Sequence, residues 1–198
     1  MSIIRKSILP AIMMTLLLTI ITGLIYPGVV TVLAQAVFYS QANGSLRYVN
    51  GKLVGSDLIG QEWTLPRYFH GRPSATLSDD GNKSQPYNAE NSGASNLGPT
   101  NATLIKTVQQ RVKELQKENP GVPVPVDLVT SSGSGLDPDI SPAGALFQMP
   151  RIARARHLSQ ETVRRLVMDH IQGRWLEVFG EPYVNVLDIN LALDALKK

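Results

Sequence analysis

Residues 129–141, VTSSGSGLDPDIS, gather five hydroxyl side chains, two glycines and two aspartates in thirteen positions. Three kinds of chemistry use such residues: a serine nucleophile, a glycine-lined phosphate cradle, and an oxygen-ligated cation. A nucleophile elbow requires G-x-S-x-G, and the position two before Ser134 is Ser132. The histidines that could serve as its base, His70, His157 and His170, lie in other segments with no local signature tying one to it. A phosphate loop requires G-x-x-x-x-G-K-[ST], which does not occur. For a metal there is no cysteine, the three histidines are not at i, i+4 spacing, and Asp137-x-Asp139 lacks the glycine and distal glutamate of a calcium loop. The expectation is therefore no catalytic residue and no metal ligand. The stretch reads as a shaped turn, with glycine for backbone freedom, Asp-Pro to initiate it and Ser141 to cap a helix. Contact with a partner, or with a cation in transit, is its second use.

Which side of a membrane holds that turn depends on the N-terminus. From Ser7 to Leu46 there is no Asp, Glu, Lys or Arg, and Ile8 to Tyr26 is almost continuously apolar. A spanning helix needs about 20 such residues, because its backbone must satisfy its own hydrogen bonds in hydrocarbon. Ala34-Gln35-Ala36 has the form of a signal-peptide cleavage site, but the apolar run is longer than a signal's core and ends well before it. Arg5 and Lys6 precede the run and no basic residue follows until Arg47, so the positive-inside rule keeps the N-terminus in the cytoplasm. The expected organisation is a cytoplasmic segment 1–7, a transmembrane helix 8–26 that can extend to about 37, and an extracytoplasmic domain 38–198. The net charge of +3 includes Arg5 and Lys6, so the domain is close to neutral and has no general polyanion-binding character.

Along the domain, Asn50-Gly51 between two short β-type runs predicts a hairpin. Residues 64–101 form a long irregular segment, with Trp63, Tyr68, Phe69 and Tyr87 as apolar anchors that favour an ordered, packed loop. Asn101 caps a helix to about Glu118, with Leu104, Val108, Val112 and Leu115 on one face. VPVPVDLVT reads as an extended segment entering a strand. Ser141-Pro142 opens a short helix that should break at Pro150. Ser159 caps a helix to about Gln172, and YVNVLDINLAL alternates like a strand leading into a closing helix. The fold class is α+β: one transmembrane helix, then one compact domain with a small sheet, several helices and a long irregular loop.

Residues 151–174 have the cadence of a helix-turn-helix, with six arginines against Glu161 and Asp169. The topology places them away from DNA, so a solvated helix face is the expectation and nucleic acid is not a partner.

In series, LIGQ, YFHGRPSAT, SGASNLG, PVPVDLVTSSGSGLDPDISP, QMPRIARAR and VNVLDINLALD, behind one N-terminal span, resemble the C subunit of the bacterial Kdp potassium-transporting ATPase. Trp63 stands where another aromatic is expected and Ala94 where glycine is expected. The resemblance implies a non-catalytic accessory subunit in the bacterial inner membrane. Its partners would be a potassium-channel-like subunit, an ATP-hydrolysing P-type subunit and a small single-span subunit. It also implies a catalytic-chaperone role that raises the hydrolysing subunit's affinity for ATP. No cofactor is expected to bind this chain stably, ATP and K+ being reached through the complex. The span would pack through Ala11, Thr15, Thr19 and Gly23, small residues recurring every four. The domain would cover the channel's outer mouth with polar loops bearing Gln61, Arg72, Ser74, Ser92, Ser95, Asn96, Ser134 and Asp137, facing partner backbone or potassium. A membrane-anchored envelope enzyme and an anchored ligand sensor are the alternative classes.

Overall fold

The computed structural model describes residues 2–196; Met1 and Lys197-Lys198, the outer ends of the expected first and last segments, lie outside the described residues. Two compact units divide near residue 45.

The first unit is helical. Helix α1 (Ser2–Ile20) passes through a π-helical turn (Ile21–Ile25) into α2 (Tyr26–Val37), and a short helix α3 (Tyr39–Ala42) follows. Residues Arg5–Val37 make one helix of 33 residues, long and apolar enough to cross a membrane. At 1.5 Å per residue it measures about 50 Å, longer than the ~30 Å of hydrocarbon. The π-turn has a local cause. In a regular α-turn the ring of Pro27 would strike the Gly23 carbonyl, and here the Tyr26 N–H reaches back five residues to Ile21.

The second unit is the α+β domain. Strands β1 (Leu46–Val49) and β2 (Lys52–Ser56) form the predicted antiparallel hairpin, with Asn50 and Gly51 at φ of 51° and 76°. Helix α4 (Ala102–Glu118) begins at Asn101, whose side chain accepts hydrogen bonds from the Thr103 and Leu104 N–H groups. Strand β3 (Asp139–Ile140), helices α5 (Pro142–Arg156) and α6 (Gln160–Asp169), strand β4 (Val184–Asn185) and helix α7 (Val186–Ala195) complete it. Among the described residues the strands form two separate two-stranded ribbons, β1-β2 and β3-β4, where a single small sheet was expected.

Two sequence-based expectations fail and a third holds with a shorter strand, each for an identifiable reason. VPVPVDLVT forms a 3₁₀ turn (Val126–Leu128) instead of entering a strand. Pro123 and Pro125 remove two ladder donors, and only Leu128 and Val129 of the turn and its end are buried. Helix α5 continues through Pro150 to Arg156. The hydrogen bond lost there is outweighed by burial on both sides, of Phe147 and Gln148 before it and Ile152 and Ala153 after it. YVNVLDINLAL gives only two strand residues before turning helical. Val186, Ile189, Asn190 and Leu193 are all buried, a spacing of three, four and seven that fits a helix face.

The core lies among α5, α6 and α7 and includes Ile152, Val163, Val167, Ile189 and Leu193. Phe69, from the long irregular segment, is fully buried in it. A loop residue at that depth needs partners for its backbone. The Asn190 amide accepts from Phe69 N at 2.8 Å and donates to Phe69 O at 2.9 Å. The next residue is held likewise: Gln148 accepts from His70 N at 2.8 Å and donates to His70 O at 3.0 Å. Two buried side-chain amides thus stand in for a neighbouring strand, and Arg151 adds a hydrogen bond to Tyr68 O at 2.9 Å. This clamp fixes where the segment from Gly71 onward starts.

Candidate functional site

The loop after Gly71 and the loop 129–141 dock against each other. Arg72 and Asp137 form an ion pair, Nη1 to Oδ2 at 2.9 Å, and Arg72 Nη2 reaches Ser131 O at 3.4 Å. Ser74 Oγ donates to Gly135 O at 2.7 Å and accepts from Tyr87 N at 2.9 Å. Thr76, 1% exposed, donates to Gln85 O at 2.6 Å and accepts from Asn88 N at 3.1 Å. The Tyr87 hydroxyl donates to Arg72 O at 2.6 Å. Burial, with Asp137 adding to it, pushes that phenol up to about 12. It therefore stays a neutral donor at physiological pH.

Further along, Ser134 O accepts both the Gly93 N–H at 2.9 Å and the Ser92 hydroxyl at 3.1 Å. Gly60 N donates to Leu136 O at 2.8 Å, and Arg111 Nη1 to Val129 O at 3.0 Å. Gly135 has φ of 69°, and a Cβ there would lie 2.6 Å from Thr76 Cγ2 and 2.7 Å from Gly93 O. Only glycine fits that crossing.

The predicted residues sort into two groups. Gln61, Arg72, Ser74 and Asp137 are half-buried and spent inside the domain; Gln61 Nε2 donates to Val54 O at 2.8 Å, behind strand β2. Ser92, Ser95, Asn96 and Ser134 are exposed. Ser92 is bonded to the opposite loop and Ser134 Oγ accepts from Leu136 N at 3.1 Å. Among the described residues Ser95 and Asn96 have no hydrogen-bond partner, and Asn96 sits at φ of 52° in the left-handed region. Ala11, Thr15, Thr19 and Gly23 lie in the first unit, all exposed, with Gly23 inside the π-turn. Tyr87 was expected only as an apolar anchor, and Thr76 and Arg111 were not expected to take part. Sequence spacing carries no sign of the contacts that join the two loops, such as Arg72 to Asp137, 65 positions apart.

Around this site the groups suited to acid–base or phosphate chemistry are already engaged. Nδ1 of His170 contacts Leu166 O at 2.7 Å, and Nε2 of His70 contacts Leu65 O at 3.0 Å. Burial, reinforced by Arg151, pushes the His70 imidazole below its ordinary value. Asn101, Ser141, Ser159 and Asn185 cap α4, α5, α6 and α7 with their own side chains. The Asp127 carboxylate also takes the Ser141 N–H at 2.7 Å. Each cap takes one or two of its helix's free first-turn N–H groups. Among the described residues no three His, Cys, Asp or Glu side chains gather as a metal site.

The basic run 151–174 is likewise largely spent within the domain. Arg151 pairs with Glu118 at 3.1 Å, Arg156 with Asp194 at 2.6 Å and Arg174 with Glu181 at 2.7 Å, and exposed Arg154 donates to Pro150 O at 3.3 Å, which leaves Arg164 and Arg165, both exposed.

A long apolar N-terminal helix joined to an α+β domain whose polar loops are tied to one another defines a class: a helix-bearing domain shaped to present a surface. The family model described as "K+-transporting ATPase, c chain" matches residues 8–195. Curated relatives agree over nearly the whole length. A potassium-transporting ATPase KdpC subunit of Rhodopseudomonas palustris is 56% identical, covering 97% of this chain and 99% of the relative. Those of Methylobacterium nodulans and Bradyrhizobium diazoefficiens are 57% and 55% identical, covering 94% and 96% of this chain and 96% of each relative. The chain belongs to the KdpC family, the C subunits of the Kdp potassium-transporting ATPase.

Proposed function

We propose that this chain is a non-catalytic accessory subunit of the pump. Its long helix anchors it in the inner membrane with the N-terminus in the cytoplasm, and its domain lies outside, covering the outer mouth of the channel-like subunit. The channel-like subunit, the ATP-hydrolysing subunit and the small single-span subunit are its partners. The observation that carries this reading is the exposed rim of Ser92, Ser95, Asn96 and Ser134, which stands on loops tied to each other by Ser74 to Gly135 O and Ser92 to Ser134 O. Such a rim is preorganised, so meeting a partner's backbone or a hydrated potassium ion costs little ordering entropy. The span supports it through Ala11, Thr15, Thr19 and Gly23, which permit close helix approach.

Any effect on ATP affinity then runs through conformational coupling. If the subunit binds one state of the pump more tightly than another, it shifts the hydrolysing subunit's nucleotide affinity without touching nucleotide. Two measurements test the reading. A phosphatase reporter fused after Lys198 should be active outside the cytoplasm, and an active cytosolic reporter there would overturn the topology. Replacing Ser95 with alanine and Asn96 with glycine, which keeps the left-handed backbone, should lower potassium-stimulated ATPase activity of the purified complex at least threefold, with the chain's own stability unchanged. Wild-type activity in that variant would remove the rim from the interface.

A further inference from the structure

Between α6 and α7 the chain throws out an arm, residues 172–183. Gln172 and Tyr183 pair at its base through hydrogen bonds of 2.8 and 3.1 Å, and Arg174 braces Glu181 through both carboxylate oxygens at 2.9 and 2.7 Å. At its tip Trp175 and Phe179 exchange backbone hydrogen bonds of 2.9 Å each, with their rings 5.6 Å apart. Leu176 and Glu177 follow one another in the left-handed region, at φ of 51° and 63°. This fixed backbone displays Trp175, Leu176, Val178 and Phe179, which are 60–70% exposed.

Four large apolar side chains held out on a rigid arm mark a surface that something covers. Lipid is a poor fit. Among the described residues the Glu177 carboxylate, set among the four, makes no ion pair, and the arm's three charges, Arg174, Glu177 and Glu181, sum to −1. Insertion would carry an uncompensated anion to the acyl boundary and set it against anionic headgroups. A protein cleft fits better. It takes aromatic anchors at its centre and ion-paired residues at its rim, and it can supply the cation that Glu177 lacks. The base of the arm, at Gln172 and Tyr183, also lines a cavity with Arg47 and Asp188.

We propose that this arm is a hydrophobic plug seated in an apolar cleft of another subunit of the complex, with Glu177 meeting a lysine or arginine there. The proposal rests on the chain's place in a multisubunit pump and not on which polar loop faces the channel-like subunit, so failure of the Ser95/Asn96 test leaves it standing.

The chain has no cysteine, so Val178→Cys introduces its sole thiol, readable as a mass shift of this chain alone. Labelling by a maleimide-polyethylene glycol is compared in the purified complex and in the full chain alone, reconstituted in phosphatidylcholine–phosphatidylglycerol vesicles. Lys113→Cys, on the exposed face of α4, reports the accessible fraction in each. Labelling of Cys at 178 should be at least tenfold slower in the complex than in the vesicles, relative to that control. Equal labelling in both, or protection already present in vesicles, overturns the proposal. Glu177→Lys should cut recovery of the chain with its partners at least fivefold and Glu177→Gln less; full recovery of Glu177→Lys would also overturn it.

Discussion

The loop pair around Gly135 and the arm around Trp175 present opposite faces of the same problem. The loops hold the hydroxyls, amides and charges that draw attention in the sequence, and most are consumed by one another: Ser74 by Gly135, Arg72 by Asp137, Thr76 by Gln85. The arm reads as an ordinary mixed stretch, yet leaves four large apolar side chains exposed. Polar residues have the valence to satisfy one another inside a domain, and apolar ones at a tip do not. Residual capacity for contact, more than chemical conspicuousness, marks an interaction surface.

The comparison is broken most severely by closing the space between the loops. Gly135→Val puts a β-branched residue into a left-handed conformation and drives its Cβ into Thr76 and the Gly93 carbonyl. Strain and overpacking together should cost about 4 kcal/mol. Gly133→Val, two residues earlier where a Cβ meets nothing, should cost under about 1 kcal/mol. Urea unfolding of the detergent-solubilised chain measures both, and equal costs would mean that the loops are not rigidly docked.

Next is the clamp beneath the loops. Asn190→Ala strands the N–H and C=O of fully buried Phe69 and should destabilise by about 3 kcal/mol. Trp175→Ser on the arm should cost under about 1 kcal/mol in the isolated chain, since its side chain is 69% exposed. A large loss from the tryptophan would mean the arm packs on its own domain and is unavailable to a partner.

How much of this was legible follows from where the information resides. Local signals were strong: Asn50-Gly51 specified the hairpin, and Asn101, Ser141 and Ser159 specified helix starts, because each acts within four residues. Non-local ones were not. Nothing near Asn190 or Gln148 indicates that their amides would replace a strand beside Phe69 and His70, and Pro150 looked like a helix end because the burial that overrides it comes from other helices. Of the eight polar residues expected at the surface of the loops, half turned inward for the same reason: sequence lists donors and acceptors but not who answers them.

The smaller effects sharpen the contrast within the loops. Arg72→Ala leaves Asp137 without its partner in a half-buried setting and should cost about 1–2 kcal/mol, with Arg72→Lys recovering little, because a point charge does not reproduce the reach to both Asp137 and Ser131 O. Thermal unfolding of the two variants checks this, and full recovery by lysine would reduce the pair to simple Coulomb attraction.

The smallest effect comes from Asp139, the second aspartate of the turn. Burial raises its carboxyl to about 6, Asn185 opposes the rise through its hydrogen bond at 3.0 Å, and Asp137 adds to it. A folded value above the ordinary 3.8 means that the folded state prefers the neutral acid. The stabilisation it brings is complete below about pH 4 and is lost as the pH climbs through about 6. Asparagine at this position keeps an acceptor for the Asn185 amide and never ionises. Asp139→Asn should therefore be more stable than the parent above about pH 7, by ~1 kcal/mol once solvent screening of a half-exposed group is allowed for. The difference should close by about pH 4. Parallel stability curves at both pH values would show that Asp139 is solvated in the folded chain, and would place the turn's inner edge in water instead of against the β3-β4 ribbon.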